Sequence, residues 1–339
     1  LARLIAEDEL AGVTSNPAIF AKAISEGAEY NDAIASLARA GRSVGGIYEA
    51  LALEDVRAAA DLFRSTYDAT RGGDGFVSLE VSPHLADDTQ GTVDEGLRLW
   101  QAFDRPNAMI KVPGTRAGLP AITELIAAGV NINVTLLFSV ERYREVVDAY
   151  LAGLERRVAA GQPIDKVASV ASFFLSRIDT LVDAQLDRMN TDEARAQRGK
   201  AAIASARLAY QYYKRWIDTD RWRALAAKGA KPQRLLWAST SSKDPAYKDT
   251  MYVEALIAPD TVNTLPPATI DAYRDHGDPA VRIEDDLPGA KQTVEVLGKL
   301  GIDLEAASEQ LEREGVKKFK EPFDALLATL AGRVEKLAS

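Results

Sequence analysis

Seven short runs rich in β-branched and apolar residues recur along the chain, at 11–16, 76–82, 108–113, 131–138, 166–174, 234–241 and 261–266. Helical patterns fill most of the intervals, among them 119–128, 140–159 and 178–189. Strands alternating with helices predict βαβ units and a parallel sheet. The runs lie too far apart for hairpins, and their apolar content suits strands buried on both faces. A doubly wound sheet and a (β/α) barrel both satisfy this pattern. The barrel is favoured because no glycine-rich phosphate loop follows an early strand. The nearest candidate, Gly72-Gly73-Asp74-Gly75, precedes a strand and reads as a turn. The chain of 339 residues suits a single eight-stranded barrel domain with additions: a helical insert at about 179–232 and a charged helical tail at about 289–339.

The insert is expected to hold two or three helices. Within it Tyr210, Tyr213 and Trp216 recur every three residues, with Tyr212 four before Trp216. That spacing predicts an aromatic helix face packed on the barrel or on a subunit partner. In the tail, Lys317-Lys318-Phe319-Lys320 reads as a solvated face near a mouth.

Composition narrows the function classes. Lys and Arg number 41 against 50 Asp and Glu, a net charge of -9, which argues against nucleic acid and anionic membranes. The chain has no cysteine, which excludes disulfides, thiolate metal sites and cysteine nucleophiles. No apolar run approaches the roughly 18 residues of a membrane span. With no signal-peptide pattern at the start, the expected compartment is the cytoplasm. His84 and His276 are the two histidines; neither has a metal-like or triad-like companion, and both are expected in loops. Lysine and carboxylate chemistry remains.

Several strand runs end in polar residues at period two: Thr14 and Asn16, Ser78, Glu80 and Ser82, Asn133 and Thr135, Ser239 and Ser241. Period two puts each set on one strand face, and barrel active sites lie at the C-terminal strand ends. A packed core would use Val, Ile and Leu there. Lys111 stands out, inside Met109-Ile110-Lys111-Val112-Pro113. Lysine is almost never buried without a partner. Burial favours the neutral amine, which can attack a ketone to form an imine. The competing reading is a plain ion pair with Glu80, and position alone leaves both open. Glu80 itself is either that counter-ion or a proton relay working through a water that Thr135 could hold. Asn133-Val134-Thr135 also fits the glycosylation pattern, but a central strand is the wrong place for it. Arg177 and Lys243, each just after a strand run, suit a phosphate, with Ser239 as a further donor. The alternative for Arg177 is a surface salt bridge with Asp179.

These residues carry a family resemblance. Gly12-Val13-Thr14-Ser15-Asn16-Pro17, Val77-Ser78-Leu79-Glu80-Val81, Met109-Ile110-Lys111-Val112-Pro113 and Asn133-Val134-Thr135-Leu136-Leu137-Phe138-Ser139 occur in an order and spacing that resemble transaldolases. Trp237-Ala238-Ser239-Thr240, Tyr252-Val253-Glu254 and Asn263-Thr264-Leu265-Pro266 extend the likeness over nearly the whole chain. The resemblance implies a (β/α)8 TIM barrel that moves a dihydroxyacetone unit from sedoheptulose 7-phosphate to glyceraldehyde 3-phosphate, giving erythrose 4-phosphate and fructose 6-phosphate. By motif position it implies that Lys111 forms the Schiff base and that Glu80 and Thr135 orient the catalytic water. It places Thr14, Asn16, Asn133 and Ser172 around the sugar, and Arg177 and Ser239 on the phosphate. The family often has arginine two residues after that serine, where this chain has Ser241; Lys243 is expected to take its place. No metal or organic cofactor is implied, and a homodimer is expected from the family and the aromatic stripe.

One departure concerns the aspartate that transaldolases carry on the first barrel strand. This chain opens on a helical pattern, and Asp8 does not match the strand position. The seven runs are therefore expected to be strands two to eight, with Lys111 on the fourth. Roughly 20–30 further residues with the missing strand and acid are expected before Leu1. Two other readings use the same residues: a Schiff-base aldolase releasing dihydroxyacetone to water, and a sugar-phosphate-binding protein without turnover.

Overall fold

The computed structural model describes residues 1–338. All seven expected strands form: β1 (Gly12–Thr14), β2 (Phe76–Glu80), β3 (Ala108–Pro113), β4 (Ile132–Leu137), β5 (Ser169–Phe174), β6 (Arg234–Ala238) and β7 (Thr261–Asn263). They pair in sequence order, every neighbour parallel. β3 spans its whole apolar run, and the other six are shorter than theirs, because the flanking polar residues belong to caps and turns. Asn16 is an example: it accepts the backbone N–H of Ile19 and caps the helix Pro17–Glu26.

The sheet is curled, as a barrel requires. Strands two apart in a flat sheet lie roughly 9–10 Å from each other. Here the Asn133 amide on β4 nevertheless donates to the Ser78 hydroxyl on β2 at 3.1 Å, and Lys111 on β3 reaches the Ser15 carbonyl just past β1 at 3.0 Å. Only an inward-curving sheet brings alternate strands together this way, which is how (β/α) barrels layer their interiors. Among the described residues no ladder joins β1 to β7. An ion pair between Asp8, ending the helix Ala2–Asp8, and Arg274, on the helix Pro267–His276 after β7, ties the two flanks of the sheet.

Helices Thr89–Phe103, Gly118–Ala127, Val140–Ala159 and Ser176–Met189 follow β2 to β5. The first begins on Asp88 and the third on Ser139, whose side chains accept backbone N–H groups at the N-cap. Between β5 and β6 lie four helical segments: Ser176–Met189, and in the rest of the insert the single turn Asp192–Arg195, Ala201–Trp216 and Asp220–Ala226. The first starts before residue 179 because it is the barrel's own helix. The aromatic face of Ala201–Trp216 is buried inside the chain. Tyr210 and Tyr213 stack, Trp216 packs edge-on against Trp222, and the Trp216 indole donates to the Tyr143 hydroxyl. Tyr210, Tyr213 and Trp216 are buried, while Tyr212 stays partly exposed, edge-on against Tyr143.

The turn 72–75 lies ahead of β2, at the N-terminal edge of the sheet. Its carbonyls accept from Lys231 and Arg234 before and at the start of β6. Gly75 has φ +82°, and a Cβ there would stand 2.5 Å from the Tyr67 nitrogen, so only glycine fits. The tail forms two helices, Leu287–Lys299 and Leu304–Ala338. The second crosses to the opposite, C-terminal edge of the strands. Phe319 on it is buried while Lys317 and Lys318 stay exposed, so the cluster is solvated on one side only.

Candidate active site

Glu80, Lys111 and Asn133 form one row across β2, β3 and β4 in the strand register. Registered partners project from the same sheet face, which here is the barrel interior. Lys111 is 5% exposed, Glu80 9%, Asn133 1% and Thr135 0%. The lysine amine lies 3.5 Å from Glu80 Oε2 and donates to the Ser15 carbonyl. Burial pushes the Glu80 carboxyl above the usual range, and Lys111 opposes that rise.

Two acceptor-capable atoms in this part of the interior have no partner: Glu80 Oε1 in the row and Thr135 Oγ1 two residues past Asn133 on β4. Buried polar atoms are almost always satisfied, so each orphan marks a place for a ligand or water. A cavity of about 210 Å³ opens beside Glu80, lined also by Tyr48, Glu95 and Phe323, and it is large enough for water. Asn133 is held in place on both sides. It donates to Ser78 and accepts the Ser172 hydroxyl at 2.7 Å.

Backbone conformation at the strand ends is unusual. The β4–β5 register slips between Val134 and Leu137, and Leu136 sits at φ +63°. Ser239, just after β6, sits at φ +55°. Left-handed conformations cost non-glycine residues about 1–2 kcal/mol each, and such strain gathers at functional sites. The Ser239 hydroxyl meets that of Ser176 at 2.8 Å.

Arg177 follows β5 on the first turn of Ser176–Met189. Asp179, its alternative partner, is instead buried, accepting from the Tyr252 hydroxyl and the Ala202 N–H. The surface salt bridge is therefore absent, and Arg177 Nη1 is buried without a hydrogen-bond partner. Its guanidinium lies over the rings of Phe174 and Phe319, and burial lowers its pKa against the opposing pull of Glu314. Lys243 is exposed and donates to the Ser241 hydroxyl at 2.7 Å, so its ammonium stands at the side chain of residue 241. Thr14 is partly buried, pairs in register with Ser78, and its hydroxyl points to the Ser15 carbonyl. Asp8 is held by Arg274, so its carboxylate is engaged outside the Lys111 row.

Lys111, Glu80, Asn133, Thr135 and Ser172 are thus brought together as expected; Arg177 and Ser239 lie at the neighbouring strand ends. Sequence reasoning missed the Ser15 carbonyl, which has no residue-type signature, and the role of Ser176 beside Ser239. It also missed Phe319, whose ring lies 5.7 Å from the Lys111 amine. His84 and His276 pair with peripheral carboxylates, Asp324 and Asp249. Among the described residues no group of three or more His, Asp or Glu side chains is arranged to hold a metal ion. No helix among them is long and apolar enough to cross a membrane.

A curled parallel sheet with a buried lysine and carboxylate at its C-terminal strand ends defines an aldolase-type barrel enzyme. The sequence matches the Transaldolase/Fructose-6-phosphate aldolase family over residues 1–330, and the chain belongs to that family. It is 50% identical to a transaldolase of Trichodesmium erythraeum over 99% of this chain and 91% of the relative. It is 51% identical to one of Saccharopolyspora erythraea, again over 99% and 91%. A transaldolase of Frankia alni is 50% identical over 98% and 90%.

Proposed function

We propose that the chain is a transaldolase that carries a dihydroxyacetone unit between sugar phosphates on a Schiff base at Lys111. The observation that carries this reading is the buried Lys111–Glu80 pair, with Glu80 Oε1 unpartnered and, two residues past Asn133 on β4, Thr135 Oγ1 unpartnered too. The amine attacks the ketone carbon of the donor, and the carbinolamine then loses water to give the imine. Glu80 passes the proton through a water held between its free oxygen and Thr135. The iminium draws electrons from the adjacent carbon–carbon bond as the hydroxyl beyond that bond gives its proton to the water beside Glu80; the bond breaks, releasing an aldehyde and leaving the enamine on Lys111. The enamine carbon attacks the acceptor aldehyde, and water returns to free the new ketose.

Asn133 and Ser172 hold the sugar hydroxyls, with Thr14 and Asn16 on the far side of the row. Arg177 and Ser239 take the phosphate, and Lys243 adds a second positive charge beside Ser241. We read the chain as one barrel domain, with the insert 179–232 and the tail 289–339 as its additions. The cytoplasm, where sugar phosphates are made and retained by their charge, is the compartment this reading implies. A homodimer keeps the family resemblance as its support, since of the aromatic stripe Tyr210, Tyr213 and Trp216 are buried within the chain.

Borohydride trapping with fructose 6-phosphate, followed by peptide mass mapping, tests the assignment. A three-carbon adduct on Lys111 is expected, and none after Lys111→Ala. An adduct on another lysine, or no adduct, would reject it.

A further inference from the structure

The helix Leu304–Ala338 lays one face across the strand ends. Gly315, Phe319 and Phe323 lie four residues apart, so they share that face. At Gly315 the missing side chain lets the helix approach closely: a Cβ would meet Leu136 Cδ2 at 2.8 Å and stand 3.6 Å from Arg177 Nη1. One turn on, the Phe319 ring lies 5.7 Å from the Lys111 amine and 5.9 Å from the Arg177 guanidinium. A further turn on, Phe323 packs edge-on against Tyr48 and lines the cavity beside Glu80. Phe319 is 7% exposed. One ring thus lies within cation–π reach of both the imine-forming amine and the phosphate arginine.

We propose that Phe319 sets the reaction's specificity, by keeping bulk water off the enamine on Lys111 so that it waits for an acceptor aldehyde. The inference rests on Lys111 forming that enamine. Two fates compete for it. In transfer, the enamine carbon bonds to the aldehyde carbon and the aldehyde oxygen takes a proton. In release, the enamine carbon takes a proton from water, and a second water adds to the iminium; the carbon–nitrogen bond breaks, freeing dihydroxyacetone and the amine. Release needs water at the carbon and at the imine, and transfer needs none until the product ketose leaves. A ring over the amine obstructs the first, whereas the second needs only that the aldehyde reach the enamine carbon.

The test compares wild type, Phe319→Leu and Phe319→Ala with fructose 6-phosphate as donor. Dihydroxyacetone formed without acceptor is measured against transfer to erythrose 4-phosphate. The release-to-transfer ratio is expected to rise about tenfold in Phe319→Ala, a change of about 1.4 kcal/mol in relative barrier. A smaller rise is expected in Phe319→Leu, which keeps an apolar volume. A purely structural role would lower both rates together and leave the ratio alone; an unchanged or lowered ratio overturns the proposal. If Phe319→Ala fails to fold by circular dichroism, the ratio in Phe319→Leu decides by the same criterion. Borohydride trapping on wild type runs alongside. Loss of the Lys111 adduct there would reject the Schiff-base reading itself, whereas an intact adduct with an unmoved ratio rejects only the role of Phe319.

Discussion

Lys111 and Glu80 are register partners on β3 and β2, with the amine 3.5 Å from the carboxylate and both side chains nearly sealed from solvent at 6% and 4% exposure. Such a pair is weak evidence of stability, because desolvation offsets the attraction, but breaking it leaves an unpaired buried charge. Lys111→Met removes the group that holds the Glu80 pKa down, so the carboxyl rises further. A carboxyl raised in the folded state keeps its full stability below its unfolded pKa, about 4, and loses it as pH climbs through the folded value. Thermal melts should therefore show Lys111→Met close to wild type near pH 4 and falling behind toward pH 8. The double variant with Glu80→Gln should lose that pH-dependent deficit. A deficit equal at all pH values would mean that Glu80 does not carry it.

Asp179 supplies a second pH signature, away from the lysine. Burial pushes its carboxyl from 3.8 up to about 6, against hydrogen bonds from Tyr252 and Ala202 that favour the charged form. Because the folded pKa is raised, its ionisation costs stability as pH rises from about 4 through 6, by about 3 kcal/mol at most. Asparagine can accept from Ala202 and donate to Tyr252 without a charge. Asp179→Asn should therefore gain on wild type between pH 4 and pH 7 in melting temperature. Parallel pH curves for the two proteins would refute this.

Arg177 is half-buried with Nη1 unpartnered, which suits a charge-assisted bond to a phosphate. Such bonds contribute about 1.5–3 kcal/mol. Arg177→Leu should raise KM for fructose 6-phosphate by roughly 10–150-fold. Trapping of unphosphorylated dihydroxyacetone on Lys111 should change little, since that ligand lacks the phosphate. Equal losses with both ligands would place the arginine's effect elsewhere.

Gly75 separates stability from chemistry. It lies at the N-terminal edge of the sheet, where an added Cβ would meet backbone atoms of Tyr67 and Phe63 at 2.5 and 2.8 Å. Backbone cannot yield as a side chain can, and φ +82° adds strain of about 1–2 kcal/mol. Gly75→Ala should lower the melting temperature by several degrees while leaving kcat/KM near wild type well below it. A selective loss of turnover in a protein of unchanged stability would contradict this division between the two edges.

Much of this was legible from local pattern. The seven strands, the exact span of Val140–Ala159 and the polar rows ending in Glu80, Lys111 and Thr135 follow from period and composition, which act over a few residues. The misreadings came from contacts made at a distance. Arg177 was given Asp179 as an alternative partner because the two are close in sequence. The helix turns Asp179 inward to Tyr252 and leaves the guanidinium to the rings of Phe174 and Phe319.

By itself the sequence determined the chemistry available to this protein. It placed an amine in an apolar strand, a carboxylate on its neighbour and arginine after β5, and excluded thiol chemistry by having no cysteine. Tertiary structure decided what those groups face. Strand register set Glu80 against Lys111, and sheet curvature brought the Ser15 carbonyl and Ser78 across from alternate strands. Packing carried Phe319 from more than 200 residues downstream to the lysine, since Lys111 and Phe319 are far apart in sequence and 5.7 Å apart in space. The physical reason is range. Propensity and periodicity are properties of neighbouring residues, whereas register, curvature and helix docking are set by which apolar surfaces exclude water together.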